Sequence, residues 1–332
     1  MPIPIIIGVA AGAAALYGAV KGVSGAMDQS KAKDINADAR SIADEANASV
    51  EEKRQTTSKV LEKYGKRKIT AFDGVISDFI HTFGRLKNVD AIHTPELQSL
   101  GVSDFSGQSL TDLRNDYQAL KDAGFGLGAG LGSGAALAFG AYNGTMLLAA
   151  AGTGTAISSL SGVAATNATL AWLGGGTLAA GGGGIALGTM VLGGIVAGPA
   201  LAIFGHIMGN KGEEALNNAH GNMEQARTIR DEAKLTVAKL QAITQVSTLA
   251  SEIFQQVTIQ LRRSVDNLAE VIAQEGANYQ KLTPGSKKIV IEAVKFAQLI
   301  KAMIDTPILD KDGSLVLSTK KRIEDIQTSI HV

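Results

Sequence analysis

From Asp28 to Tyr64 the chain contains neither Gly nor Pro, and Ile35, Ala39, Ile42, Ala46 and Val50 recur at spacings of three or four. That period predicts an amphipathic helix over 28–64. The second half repeats the pattern through Leu216, Ala219, Met223, Ala226, Ala233, Val237 and Leu240. Leu249, Ile253, Val257, Leu261, Val265, Leu268 and Ile272 continue it more loosely, with no Gly between Gly221 and Gly276. An unbroken helix over 212–275 would be about 95 Å long and would need long partners. Its seam is narrow and rich in Ala, which predicts a close-packed antiparallel bundle with the 28–64 helix beside part of 212–275.

Shorter elements surround these two. Between Ile69 and Leu86, Phe72, Ile76, Phe79, Ile80 and Phe83 mark a second helix, interrupted at Gly74 and ended near Gly84. A loop with Pro95, Gly101 and Gly107 follows, then a polar helix over 109–122 with Leu113, Tyr117 and Leu120 as its apolar positions. Thr283-Pro284-Gly285 breaks the chain before a helix over 286–304, which Pro307 stops. Residues 308–317 read as a small β-hairpin around Asp312-Gly313, ahead of a last helix over 319–330.

Charge divides the chain more sharply than hydropathy does. The 332 residues carry 31 Lys plus Arg and 31 Asp plus Glu, and every one of these lies outside residues 123–210. That block of 88 residues also contains 24 of the 39 glycines, and His206 is its only titratable side chain apart from a tyrosine. The expected architecture is therefore all-α: an elongated helical bundle with long coiled-coil-like helices, a central uncharged glycine-rich helical hairpin and a minor C-terminal β-hairpin. Five segments follow: an apolar 1–27, a helical flank 28–122, the hairpin 123–210, a long helix 211–282 and a C-terminal unit 283–332.

Within the block, Gly124, Gly128, Gly132, Ala136, Gly140 and Gly144 recur every four residues, forming one small-residue stripe on a helix. Gly176, Ala180, Gly184 and Gly188 form a second, followed by Gly194 and Gly198. Each glycine in an aqueous helix interior costs about 1 kcal/mol relative to Ala, a repeated cost that makes sense where backbones touch, as in packed membrane helices. The two stripes are placed to face each other across a hairpin with arms near 130–151 and 178–208, each long enough to cross a bilayer. Trp172 precedes the second arm, as an interfacial anchor or an ordinary packing residue. Gly8, Gly12, Gly18 and Gly22 repeat the small-residue spacing in an uncharged N-terminal run that reads equally as a membrane span or a buried helix. No basic residue precedes that run, which argues against a cleaved signal peptide.

Little in the sequence points to chemistry. With no Cys, disulfide and thiolate-metal sites are excluded. The five histidines show no paired ligand spacing, and no phosphate loop, dinucleotide turn or nucleophile elbow occurs, so no catalytic, cofactor or metal residue is assigned. Balanced charge argues against a nucleic-acid partner. Lys66, Arg67 and Lys68 form a compact basic cluster that reads either as a contact for anionic lipid headgroups or as a solvated helix face.

Long charged helices flanking one uncharged hairpin, residues 123–210, give a layout that resembles the α-helical pore-forming toxins of the ClyA-like hemolysin class, and also bacterial glycine-zipper membrane proteins. The resemblance implies a soluble form that enters a lipid bilayer and assembles as a homo-oligomer. The second apolar segment at the N-terminus departs from it. The resulting expectation is a membrane-inserting, oligomerising, permeabilising protein without enzymatic activity. The alternative is a membrane-anchored scaffold that recruits a protein partner through its long helices.

Overall fold

The computed structural model describes residues 24–89, 108–122, 136, 139–141, 215–310 and 313–331. These form α1 (Ser24–Ala71), a π-helical turn (Phe72–Ile76), α2 (Ser77–Phe83), α3 (Gln108–Asp122), α4 (Ala215–Glu275), α5 (Pro284–Asp305) and α6 (Leu317–Ile330). The described chain is all-α. Local sequence accounts for the boundaries. Gly74 sits within the π turn that links α1 to α2, and Gly84 caps α2. Gly276, with φ +87°, ends the 61-residue α4 in the left-handed region that suits glycine. α5 begins with Pro284 after Thr283, whose side chain accepts from the Ser286 amide, and its last residue is followed by extended Thr306 and Pro307.

The 48-residue α1 and the 61-residue α4 lie side by side, and they run in the same direction. Asn36 pairs with Asn222, Thr57 with Thr244, Arg67 with Ser251 and Asp78 with Arg262. Position advances together on both helices, at a nearly constant sequence offset of 184–187. The expected antiparallel arrangement is thus corrected to a parallel one. The physical reason is that a seam with three-four spacing packs in either sense, so the polar residues inserted in it decide.

Two parts share this pair. In the lower part Ala39, Ala43, Ala46 and Val50 of α1 close on Ala226, Ile229, Ala233 and Leu240 of α4. Small side chains let the two backbones approach closely, and charged residues cover the outside. In the upper part α5, buried on almost every side, packs against α4, with α6, α3 and the Phe72–Phe79 region completing one hydrophobic core. Tyr64 enters that core against Phe254, edge to face at 5.9 Å between ring centroids.

The expected C-terminal β-hairpin reduces to a single antiparallel bridge between Leu309 and Leu315, and no strand is present among the described residues. Beside it the Ser314 amide donates to Asp310 Oδ1, and Gly313 adopts φ +76°, while Lys311 and Asp312 lie outside the described residues. The segment is too short for a ladder.

Among the described residues no helix is long and apolar enough to cross a membrane. That finding overturns the expectation of a membrane-inserting, permeabilising protein and of its membrane-anchored alternative. The long helices bury one narrow stripe against each other and expose charge elsewhere, a surface that hydrocarbon does not solvate. Residues 1–23, and all of 123–210 except Ala136 and Phe139–Ala141, lie outside the described residues.

Candidate functional site

The described part of the uncharged block is docked on the upper part of the pair. Ala136 lies against Gly65, and Gly140 against Leu61, so this piece runs antiparallel to α1. A Cβ on Gly65 would overlap the Ala136 carbonyl, and one on Gly140 the Leu61 carbonyl. The two glycines therefore permit a backbone-to-backbone approach that no other residue allows. The described members of the first stripe thus meet α1, whereas the expectation placed that stripe against a second arm of the block. The Ala141 carbonyl accepts from the amides of Ile308 and Leu309, both at 2.9 Å, and Phe139 meets Phe72 edge to face.

Lys68 closes this contact from α1. Its side chain is 0% exposed, and its Nζ donates to the carbonyls of Phe139 at 3.3 Å and Ile304 at 3.5 Å while lying 4.4 Å from the centre of the Tyr64 ring. Burial pulls the ammonium down to about 7, only partly offset by the Asp305 carboxylate. The Tyr64 hydroxyl, whose pKa burial pushes upward, donates to the Met303 carbonyl. A second buried amine, Lys301, is bound by two carboxylates, Asp305 at 2.6 Å and Asp116 of α3 at 3.1 Å. Burial pulls Lys301 down, but the two carboxylates outweigh it and its pKa ends above the ordinary lysine value. Burial pushes the Asp116 carboxyl up, against the pull of Lys301. These groups hold α3 and the 136–141 piece to α5. Their roles are positional.

An open feature lies on the other side of α1. A groove of about 600 Å³ follows the seam between α1 and α4, with Lys59, Lys63, Lys66 and Thr70 along one rim and Gln255, Ile259 and Arg262 along the other. These positions follow helical spacing on both helices, so each rim is one straight row. Ala71, Val75 and Phe254 lie beneath it, and Ile259 is 45% exposed. Five basic side chains line the groove, counting Arg67, against a single acid, Glu62. Lys66 is neutralised by Glu62 at 2.6 Å, and Arg262 pairs with Asp78 of α2. Arg67 spends its guanidinium on the Ser251 carbonyl and hydroxyl, both at 2.8 Å. Lys59 and Lys63 form no ion pair among the described residues and remain exposed.

The basic cluster of the sequence is therefore split by helix geometry. Lys66 faces the groove, Arg67 points across to α4, and Lys68 is buried on the opposite side, away from any headgroup. Consecutive helical residues are about 100° apart, so three adjacent cations do not share a surface. Gly8, Gly12, Gly18, Gly22, Gly124, Gly128, Gly132, Gly144, Trp172, Gly176, Gly184, Gly188, Gly194 and Gly198 lie outside the described residues. Sequence reasoning missed Lys59, Lys63, Ile259 and Arg262. Their only signal is position: Lys63 and Arg262 sit one residue, and Lys59 and Ile259 two residues, from buried positions of their helices. Among the described residues no cluster of three His, Asp or Glu could hold a metal ion.

No known protein family, characterised protein or solved structure matches this chain.

Proposed function

We propose that the chain is a protein-interaction module, in which the parallel α1–α4 pair is a rigid support and the groove at its upper part receives a protein partner. The single observation that carries this reading is the open seam between Lys59 and Arg262. The pair is closed by small residues below, and α5, α3 and the Phe139–Ala141 piece lie on its other side, so among the described residues this stretch is a helix–helix seam with no third helix laid along it. A seam between two neighbouring helices is the shape into which a further helix packs.

Site-specific photocrosslinking tests the reading. A photoreactive residue at Gln255, on the groove rim, is expected to give a discrete protein adduct in the producing cell. The same residue at Lys234, on the closed lower part, is expected to give none. Equal adducts at both positions, or none at Gln255, would refute it.

A further inference from the structure

We infer that the groove between Lys59 and Arg262 binds an acidic amphipathic helix of a partner protein, and this inference rests on the interaction-module reading above. Shape supplies the first argument. The rim from Lys59 to Thr70 rises about 17 Å, or about three helical turns, and both rims are straight because each follows one helix. Ridges of a third helix can settle into such a channel over its whole length.

Charge supplies the second and selects the occupant. Lys59 and Lys63 are exposed and unneutralised, and Lys66 and Arg262 each share one carboxylate. Carboxylates on an incoming helix would meet the unpaired Lys59 and Lys63 on one rim and could share Lys66 and Arg262 with the acids they already hold. Positive charges there would instead face the two unpaired lysines. The uncharged block of this chain does not complement the groove, because residues 123–210 contain no Asp or Glu.

An exposed apolar side chain supplies the third. Ile259 exposes 45% of its surface on the rim opposite the lysine row, next to the short side chain of Thr258. An apolar residue on the inner face of the incoming helix would cover Ile259, whereas a wholly polar acidic strand would leave it wet. The expected recognition element is therefore acidic on its flanks and apolar along one stripe, at the spacing that a helix provides.

The test uses the full chain and a labelled synthetic helical peptide with Leu along one face and Glu on both flanks. The control carries Lys in place of every Glu. Fluorescence anisotropy should show binding of the acidic peptide, weakening as salt rises, and no measurable binding of the basic one. K59E/K63E, which alters two exposed side chains, should weaken binding at least about tenfold, and I259D should weaken it comparably. Circular dichroism of each variant confirms the fold. Equal binding of the two peptides, or binding unchanged by K59E/K63E, would overturn the inference. Stronger binding to vesicles rich in phosphatidylserine than to the peptide would overturn it in favour of a lipid surface. Sedimentation as a dimer that the peptide cannot dissociate would overturn it in favour of a second copy of this chain. A protein adduct at Gln255 with no charge dependence of binding would leave the module reading intact and remove only the acidic helix.

Discussion

The side-chain amide of Asn222 donates to the side-chain carbonyl of Asn36 over 2.9 Å, across the seam between α1 and α4. Both residues are half-buried and flanked by positions that pack apolar side chains, Ala39 and Ala43 on one helix and Ala219 and Ala226 on the other. A polar pair inside an apolar seam satisfies itself in one register only, since any slip buries each amide against carbon. N36A should therefore destabilise the fold by about 1–2 kcal/mol, because Asn222 is left without its partner. The double replacement N36L/N222L should recover most of that loss. Urea unfolding of the three proteins checks this, and a neutral N36A would show that the pair does not define the register.

Gly65 and Gly221 make a matched contrast. Both lie inside long helices, but a Cβ on Gly65 would run into the Ala136 backbone, whereas one on Gly221 would meet nothing within 4 Å. G65A should destabilise by about 1–3 kcal/mol, because backbone cannot yield as a side-chain tip can. G221A should stabilise by about 1 kcal/mol through helix propensity alone. Thermal melts of the two variants should shift in opposite directions.

Lys68 predicts a pH dependence of stability. A base whose folded pKa lies below its unfolded value leaves the unfolded chain holding more protons between the two. Stability should therefore rise with pH from about 7 towards the ordinary lysine value, and be insensitive to this group below about 7. The titratable groups that face it are Tyr64 on α1 and Asp305 on α5, and Asp305 in turn holds Lys301, which Asp116 of α3 also binds. Tyr64 acts in the opposite sense above its unfolded pKa, so the informative window is pH 7 to about 9.5. K68M should flatten the rise across that window in urea titrations. An unchanged slope would mean that Lys68 is not the titrating group.

Lys301 separates pairing from burial. K301M would leave Asp116 and Asp305 facing each other without a cation, so it should cost about 3–5 kcal/mol near neutral pH. Protonating the two carboxylates removes their repulsion, so the loss should shrink as the pH falls. Stability curves at acid and neutral pH would show whether it does.

Much of the helix content was legible in the sequence, because the three-four recurrence of Ala and Leu extends over tens of residues. The expected 28–64 and 212–275 became Ser24–Ala71 and Ala215–Glu275, and the interruption at Gly74 became a π turn. Gly65 misled at one boundary: it reads as a helix end, yet it lies inside α1 and its missing side chain admits Ala136. The relative direction of the two long helices was not legible. An apolar stripe has the same spacing read upward or downward, and the residues that fix the sense are polar pairs about 185 positions apart. The groove was hidden for a similar reason. Lys59 and Arg262 look like any solvated cations until their helices lie side by side, and adjacency in sequence, as in Lys66, Arg67 and Lys68, did not put charges on one face.

The parallel sense of α1 and α4 creates both rims of the groove, and distances between paired spin labels test it most directly. One label at Asp38 is combined with a second at Glu224 or at Arg263, all exposed positions. In the parallel register residue 38 lies level with residue 224, with the helix axes about 10 Å apart. Arg263 follows Arg262, which pairs with Asp78, and lies about 60 Å further along α4. A short distance for 38–224 and a long one for 38–263 is the predicted result. The reverse, long for 38–224 and short for 38–263, would contradict the parallel pair and the groove built on it.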